Sequence, residues 1–195
     1  LLKLRQICCH PRLLKVDMPG FSTGSLPSGK FEAFKDMIFD IVDGGHKVLV
    51  FSQFVQMLQL IRSWFQLTDI PFCYLDGTSK DRLDQVDKFN SSPDIPVFLI
   101  SLKAGGTGLN LTSADYVIHY DPWWNPAVES QATDRTHRIG QTRQVFSYKL
   151  ICQNTVEEKI LKLQEMKRGV AEAVIPGQDT WKSLTKEDLE MLFEV

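Results

Sequence analysis

Arg135 and Arg138 stand three residues apart inside Glu129-Ser130-Gln131-Ala132-Thr133-Asp134-Arg135-Thr136-His137-Arg138-Ile139-Gly140-Gln141, at the end of a helix predicted over about 126–137. On a helix this spacing turns both side chains to one side. Two neighbouring guanidiniums repel each other unless an anion lies between or before them, and their planar, permanently charged forks match phosphoryl oxygens. Set against a nucleotide, they would stabilise the charge that develops during hydrolysis. The competing reading is a pair of surface arginines bridged to Asp134 or Glu129.

Two glycine-rich stretches bear on the same chemistry. Ala104-Gly105-Gly106-Thr107-Gly108-Leu109-Asn110 lets backbone approach a phosphate or sugar without a Cβ in the way, although a tight strand-to-helix turn needs the same residues. Gly24-Ser25-Leu26-Pro27-Ser28-Gly29-Lys30 has the spacing of a phosphate-binding loop, but Phe31 follows where a Mg²⁺-binding Ser or Thr is required. No apolar strand precedes Gly24 to seat such a loop, so the match is coincidental and Ser28-Gly29-Lys30 starts a helix.

The elements that must position these residues follow from hydrophobic periodicity. Phe31, Phe34, Met37, Ile38, Ile41 and Val42 give a helix ended by Gly44-Gly45. Apolar runs predict strands at 47–51, 72–75, 96–100, 116–120 and 145–151, separated by helices near 54–66, 79–90 and 126–137. Strands alternating with helices imply crossovers, and therefore a parallel sheet sandwiched by helices, an α/β fold. Phe54, Met57, Leu58, Ile61 and Phe65 fall at helical spacing and read as core, and His119 reads as a buried strand histidine.

Before this unit, residues 10–29 are broken by Pro, Gly and Ser and read as an irregular connector behind an N-terminal helix. After it, Asn154 is the expected N-cap of a long helix from Val156 to about Val174, and Thr185 with Asp188 forms a capping box for a last short one. The division is 1–28 leading helix and linker, 29–153 the main lobe, and 154–195 C-terminal bracing helices. In such sheets, ligands sit beyond the carboxyl ends of the strands. That rule selects Ser52-Gln53-Phe54, Ser101 to Gly108, and Asp121-Pro122-Trp123-Trp124-Asn125-Pro126.

The 195 residues are 43% hydrophobic and 24% charged, with a net charge of −2, so contact with nucleic acid must be local rather than driven by a basic field. No apolar run of about eighteen residues predicts a membrane span, and the start lacks Met, as expected of a piece of a longer polypeptide. Cys8, Cys9, Cys73 and Cys152 form no disulfide framework and no C-x-x-C pair, which points to a reducing, intracellular compartment. Cys8, Cys9 and His10 could group around a soft metal, but adjacent cysteines rarely chelate one ion, and no metal site is expected.

Leu99 to Leu111, Ala114-Asp115, Asp121 to Pro126 and Gln131 to Gln141, in that order, resemble the C-terminal motor lobe of the Swi/Snf-type translocases in helicase superfamily two. The resemblance begins at Leu4-Arg5-Gln6-Ile7-Cys8-Cys9-His10-Pro11, passes through Val48-Leu49-Val50-Phe51-Ser52-Gln53-Phe54 and ends near Ile160. It implies a RecA-like lobe in which Arg135 and Arg138 are arginine fingers reaching ATP held mainly, with its Mg²⁺, by a first lobe. Gln131, Gly106, Gly108 and Asn110 would then line the nucleotide side. Ser52, Gln53, Ser101 and Lys103 would hold the phosphates of double-stranded DNA, the last replacing a more usual arginine. Hydroxyl, amide and ammonium donors at strand ends can grip a backbone without reading bases.

Trp124 matches the family's D-x-x-W-N-P element and reads as a packing anchor, while His137 reads as structural. The implied partners are DNA, the N-terminal motor lobe and nucleoprotein substrates, with no membrane. The location would be cytoplasm or nucleoid in a prokaryote, which the compact form favours, or nucleus in a eukaryote. A docking module with a motor-like fold and a strand-separating helicase lobe are the alternatives. Paired arginines beside a glycine loop argue against the first and His137-Arg138-Ile139-Gly140-Gln141 against the second.

Overall fold

The computed structural model describes residues 1–14, 17–18, 21–22, 26–105, 109–134, 143–173 and 185–193. Helix α1 (Leu2–Cys9) leads through a 3-10 turn (Pro11–Leu13) to strands β1 (Asp17–Met18) and β2 (Phe21–Ser22), which pair antiparallel. The connector, expected to be irregular, therefore holds a turn and a short ladder. Then follow α2 (Gly29–Asp43), β3 (Val48–Ser52), α3 (Val55–Phe65), β4 (Phe72–Leu75), α4 (Arg82–Ser91), β5 (Val97–Ser101) and α5 (Leu102–Gly105). The chain continues through β6 (Tyr116–His119), α6 (Pro126–Thr133), β7 (Phe146–Lys149), α7 (Val156–Ala173) and α8 (Lys186–Phe193).

Five strands form one sheet in the order β4-β5-β3-β6-β7, and every pairing is parallel. The central strands β3 and β5 are buried along their whole length, which is why their sequences are apolar up to the serine that ends each one. Successive residues face opposite sides. Leu49 and Phe51 pack with Phe89, Phe98 and Ile100 on one face, while Val48 and Val50 pack with Phe34, Ile38, Met57 and Ile61 on the other. Met57, Leu58, Ile61 and Phe65 are fully buried, as their spacing requires.

Helix ends follow local chemistry. Ser28 caps α2, its hydroxyl accepting from the Phe31 N–H at 3.3 Å. At the other end Gly45, at φ 73°, makes a left-handed stop, with His46 N–H donating to the Ile41 carbonyl and Gly45 N–H to that of Val42. The capping box opening α8 is present: Thr185 N–H donates to Asp188 at 2.8 Å, and Asp188 N–H to the Thr185 hydroxyl at 3.2 Å. The expected cap of α7 shifts by one residue. Thr155 accepts from Glu157 N–H at 3.2 Å, whereas Asn154 turns left-handed at φ 55°.

Candidate nucleotide and nucleic-acid interface

The carboxyl ends of β3, β5 and β6 bring the selected loops together. Ser52 and Ser101 end neighbouring strands directly opposite each other. Both are almost fully buried, at 1% and 2% exposure, so their hydroxyls serve the protein interior. Ser101 accepts from the Ala104 N–H at 3.3 Å and so opens the single turn α5, where glycine density predicts a loop. Gln53 is half-buried, and Lys103 is exposed at the edge.

One carboxylate organises this edge. Asp121, two residues past the end of β6, accepts a short hydrogen bond from the Ser52 hydroxyl and is approached by the Gln53 N–H at 3.3 and 3.4 Å. Burial raises its carboxyl pKa to about 6, against the opposing pull of the Ser52 hydrogen bond and of the Arg5 and Lys30 charges. From α1, Arg5 donates to the Pro122 carbonyl at 2.6 Å and lies 3.7 Å from Asp121. No sequence pattern paired these two, which lie 116 positions apart. The available signal was a lone arginine within Leu4-Arg5-Gln6-Ile7-Cys8-Cys9.

The glycine-rich turn has a packing reason at one position. A Cβ on Gly105 would stand 2.8 Å from the Phe51 ring, so the close approach of α5 to β3 admits a side chain there only if Phe51 is displaced. Gly106 and Gly108 lie outside the described residues. Asn110 is exposed, and its carbonyl accepts from the Asn90 amide at 2.8 Å.

Helix α6 carries the chain toward the paired arginines. Asn125 caps it through the Ala127 N–H at 3.0 Å, and Pro126 fits its first turn, where an N–H would go unused. Glu129 is buried beneath it, accepting from the Trp123 N–H at 2.7 Å and pairing with Lys149 at 2.5 Å. At its end, Thr133 meets His119, the last residue of β6, at 3.0 Å. Burial lowers the His119 pKa to about 4, so the imidazole is neutral near pH 7 and acts as a spacer between α6 and the sheet. Gln131 is exposed on α6, while Arg135, His137 and Arg138 lie outside the described residues. A cleft of about 500 Å³ opens beside α6, lined in part by Ser130, Thr133 and Asp134. A larger one, about 630 Å³, lies at the opposite ends of the strands around Lys47, Pro96 and Arg143.

Lys30, the lysine of the coincidental phosphate-loop match, is buried and committed. Its ammonium pairs with Glu157 at 2.5 and 2.6 Å and donates to the Leu150 and Tyr120 carbonyls at 3.0 and 3.3 Å. Trp123 and Trp124 are half-buried and pack on separate apolar clusters, the anchoring expected of Trp124. Among the described residues no group of three His, Cys, Asp or Glu side chains could hold a metal ion, and none of the helices is long and apolar enough to cross a membrane. The Cys152 thiol donates to the Cys8 carbonyl at 3.3 Å, while His10 accepts from the Arg12 N–H at 3.1 Å.

Comparison with known proteins gives a consistent result. The family profile of the helicase conserved C-terminal domain matches residues 29–140. The chain is 44% identical over 168 residues to the chromatin-remodeling ATPase INO80 of Pyricularia oryzae, covering 85% of this chain and 9% of that protein. It is 39% identical over 198 residues to an uncharacterized ATP-dependent helicase of Mycoplasma pneumoniae, covering 100% of this chain and 18% of the other. The chain thus spans less than a fifth of these relatives. Among solved structures, the Sulfolobus solfataricus SWI2/SNF2 ATPase core in complex with dsDNA is 40% identical with a TM-score of 0.71, covering 100% of this chain and 41% of that one. The C-terminal part of the Fun30 ATPase domain is 36% identical with a TM-score of 0.72, covering 98% and 60% respectively.

Proposed function

The chain belongs to the Swi/Snf-type ATPases of helicase superfamily two as their C-terminal RecA-like lobe, and from that premise we propose that it is the second half of an ATP-driven translocase on double-stranded DNA. In this reading a first lobe holds most of the ATP and its Mg²⁺, and this lobe supplies Arg135 and Arg138 to the developing phosphoryl charge. Lys30 cannot serve as a phosphate lysine while it is closed within its own ion pair. Gln131, Gly106, Gly108 and Asn110 face the nucleotide.

The observation that carries the reading is the bond between Thr133 and His119. It ties the end of α6 to the last residue of β6, which supports a reading in which the residues after Asp134 serve the edge where Ser52, Ser101 and Asp121 gather. A solved relative holds double-stranded DNA, and the same ligand is proposed here. Gln53 and Lys103 meet the DNA backbone directly through their side chains, whereas Ser52 and Ser101 act from within, fixing the loops that carry them by accepting from the Phe54 and Ala104 N–H groups. Closure of the two lobes around ATP moves this grip along the DNA, and hydrolysis releases it.

The test uses the two-lobed protein. Arg135→Ala and Arg138→Ala should each lower DNA-stimulated ATP hydrolysis by about 10³-fold or more, the range for an arginine finger. Hydrolysis at the wild-type rate in either variant would overturn the assignment. The 195-residue chain alone should turn over no ATP above background, and its binding to duplex DNA should weaken as salt rises.

A further inference from the structure

We propose that Arg5 is a positioning residue for the DNA grip, clamping the loop after β6 to the loop after β3 from the N-terminal helix, so that its loss weakens the hold on DNA far more than it slows hydrolysis. The proposal rests on the translocase reading above and adds a residue outside the sheet to its machinery.

Arg5 touches both loops at once. Its guanidinium donates to the Pro122 carbonyl at 2.6 Å and lies over the Trp123 ring at 5.1 Å, both in the loop after β6. It also lies over the Phe54 ring at 5.4 Å, in the loop after β3. Asp121, 3.7 Å away, completes the link through the Ser52 hydroxyl and the Gln53 N–H. A path of two contacts thus runs from α1 through Asp121 to the backbone of Gln53, the half-buried residue assigned to the DNA phosphates. The helix is itself fixed, since the Tyr120 and Ser28 hydroxyls donate to the Cys9 carbonyl at 3.0 and 3.4 Å.

Stability alone does not account for this arrangement. Arg5 and Asp121 are 6% and 4% exposed, and burial is the leading influence on both, lowering the arginine's pKa and raising the aspartate's. Removing two charges from water offsets much of what their attraction returns, and an apolar residue of similar volume is often as stable. The Arg5 Nε is buried without a partner, a further deficit that an optimised core would avoid. What the guanidinium offers is geometry. Its flat fork meets a carbonyl, a carboxylate and two ring faces together, which neither an apolar side chain nor the point charge of lysine can do.

The groups facing Asp121 are Arg5 and Cys9 from α1, Lys30 from α2 and Glu157 from α7, with Ser52 at its oxygen. Arg5 is one of two cations among them, so its removal makes the Asp121 carboxylate harder to keep charged. The acid limb of DNA-dependent activity should therefore move to higher pH.

The experiment measures ATP hydrolysis by the two-lobed protein against duplex DNA concentration and pH, for wild type, Arg5→Met, Arg5→Lys and Arg135→Ala. Arg5→Met should raise the DNA concentration for half-maximal stimulation about tenfold, the scale of one charge-assisted hydrogen bond, with a much smaller fall in kcat at saturating DNA. Its acid limb should shift upward, and adding Asp121→Asn should abolish the shift. Arg5→Lys should fall between. An unchanged DNA requirement and acid limb in Arg5→Met, with only the melting temperature lowered, would reduce Arg5 to a packing residue and overturn the proposal. Should Arg5→Met fail to fold, Arg5→Lys decides: a raised DNA requirement supports the clamp, and wild-type behaviour overturns it. Wild-type turnover in Arg135→Ala would instead remove the underlying translocase reading, whatever Arg5 does.

Discussion

Asp115 and Asp121 stand at opposite ends of strand β6, both nearly fully buried, and the two ends of the sheet use them differently. At the amino end, Asp115 binds the His46 imidazole at 2.7 Å, the Lys47 N–H at 3.1 Å and Arg143 at 3.3 Å. Its cationic partner is open to water, with the Arg143 side chain 62% exposed. At the carboxyl end, Asp121 faces a buried arginine and a buried serine, and its pKa rises to about 6. The same residue type at either end of one strand thus sits in a hydrated network and in a desolvated one. An exposed ion pair adds little and demands little of its surroundings, whereas a desolvated one fixes geometry and punishes the loss of either member. The end built for geometry is the end where the candidate site lies.

Four substitutions would sharpen or break this contrast. The largest effect is expected at Lys30, whose ion pair with Glu157 is buried near the carboxyl end. Lys30→Met strands a buried carboxylate and should lower stability to urea by about 3–5 kcal/mol. Second is Asp121. Its folded pKa of about 6 exceeds the ordinary carboxyl value of 3.8 expected when unfolded, so the folded state holds the extra proton, and the group's contribution falls as pH rises from about 4 to 6. The stability difference between wild type and Asp121→Asn should therefore be larger at pH 4.5 than at pH 7.5 by roughly 3 kcal/mol at most, from about 1.4 kcal/mol per pKa unit. A difference independent of pH would place Asp121 in the same class as a hydrated carboxylate.

Third, Gly105→Ala forces a methyl against Phe51 and should lower stability by about 1–3 kcal/mol, with partial recovery on adding Phe51→Leu. Smallest is the amino end. Arg143→Ala removes an exposed partner and should change stability by less than about 1 kcal/mol, an effect that fades in high salt. A loss at Arg143 as large as that at Lys30 would erase the distinction between the two ends.

The elements were legible because their signals are local. Buried parallel strands read as apolar runs at 47–51 and 96–100, one residue from the observed 48–52 and 97–101, and the capping box at Thr185 and Asp188 needs only four consecutive residues. The loops of the candidate edge followed from the same order of strands and helices. Arg5 with Asp121 and Lys30 with Glu157 were illegible, because only the strand order brings residues more than a hundred positions apart together. Nor does sequence alone separate Ser52 and Ser101, turned inward, from Gln53 and Lys103, which reach the surface, since all four are polar residues at strand tips. The one-residue shift in the cap of α7 has a local cause: Asn154 tolerates a left-handed backbone, which frees Thr155 for the capping role.

The grip of Lys30 on Glu157 and on the Leu150 and Tyr120 carbonyls has a mechanical side. One ammonium joins the first turn of α2, the first turn of α7 and the ends of two adjacent strands, bridging the segment 151–155 that links β7 to α7. With that ammonium buried among four acceptor oxygens, α7 should swing together with the sheet instead of pivoting on its own linker.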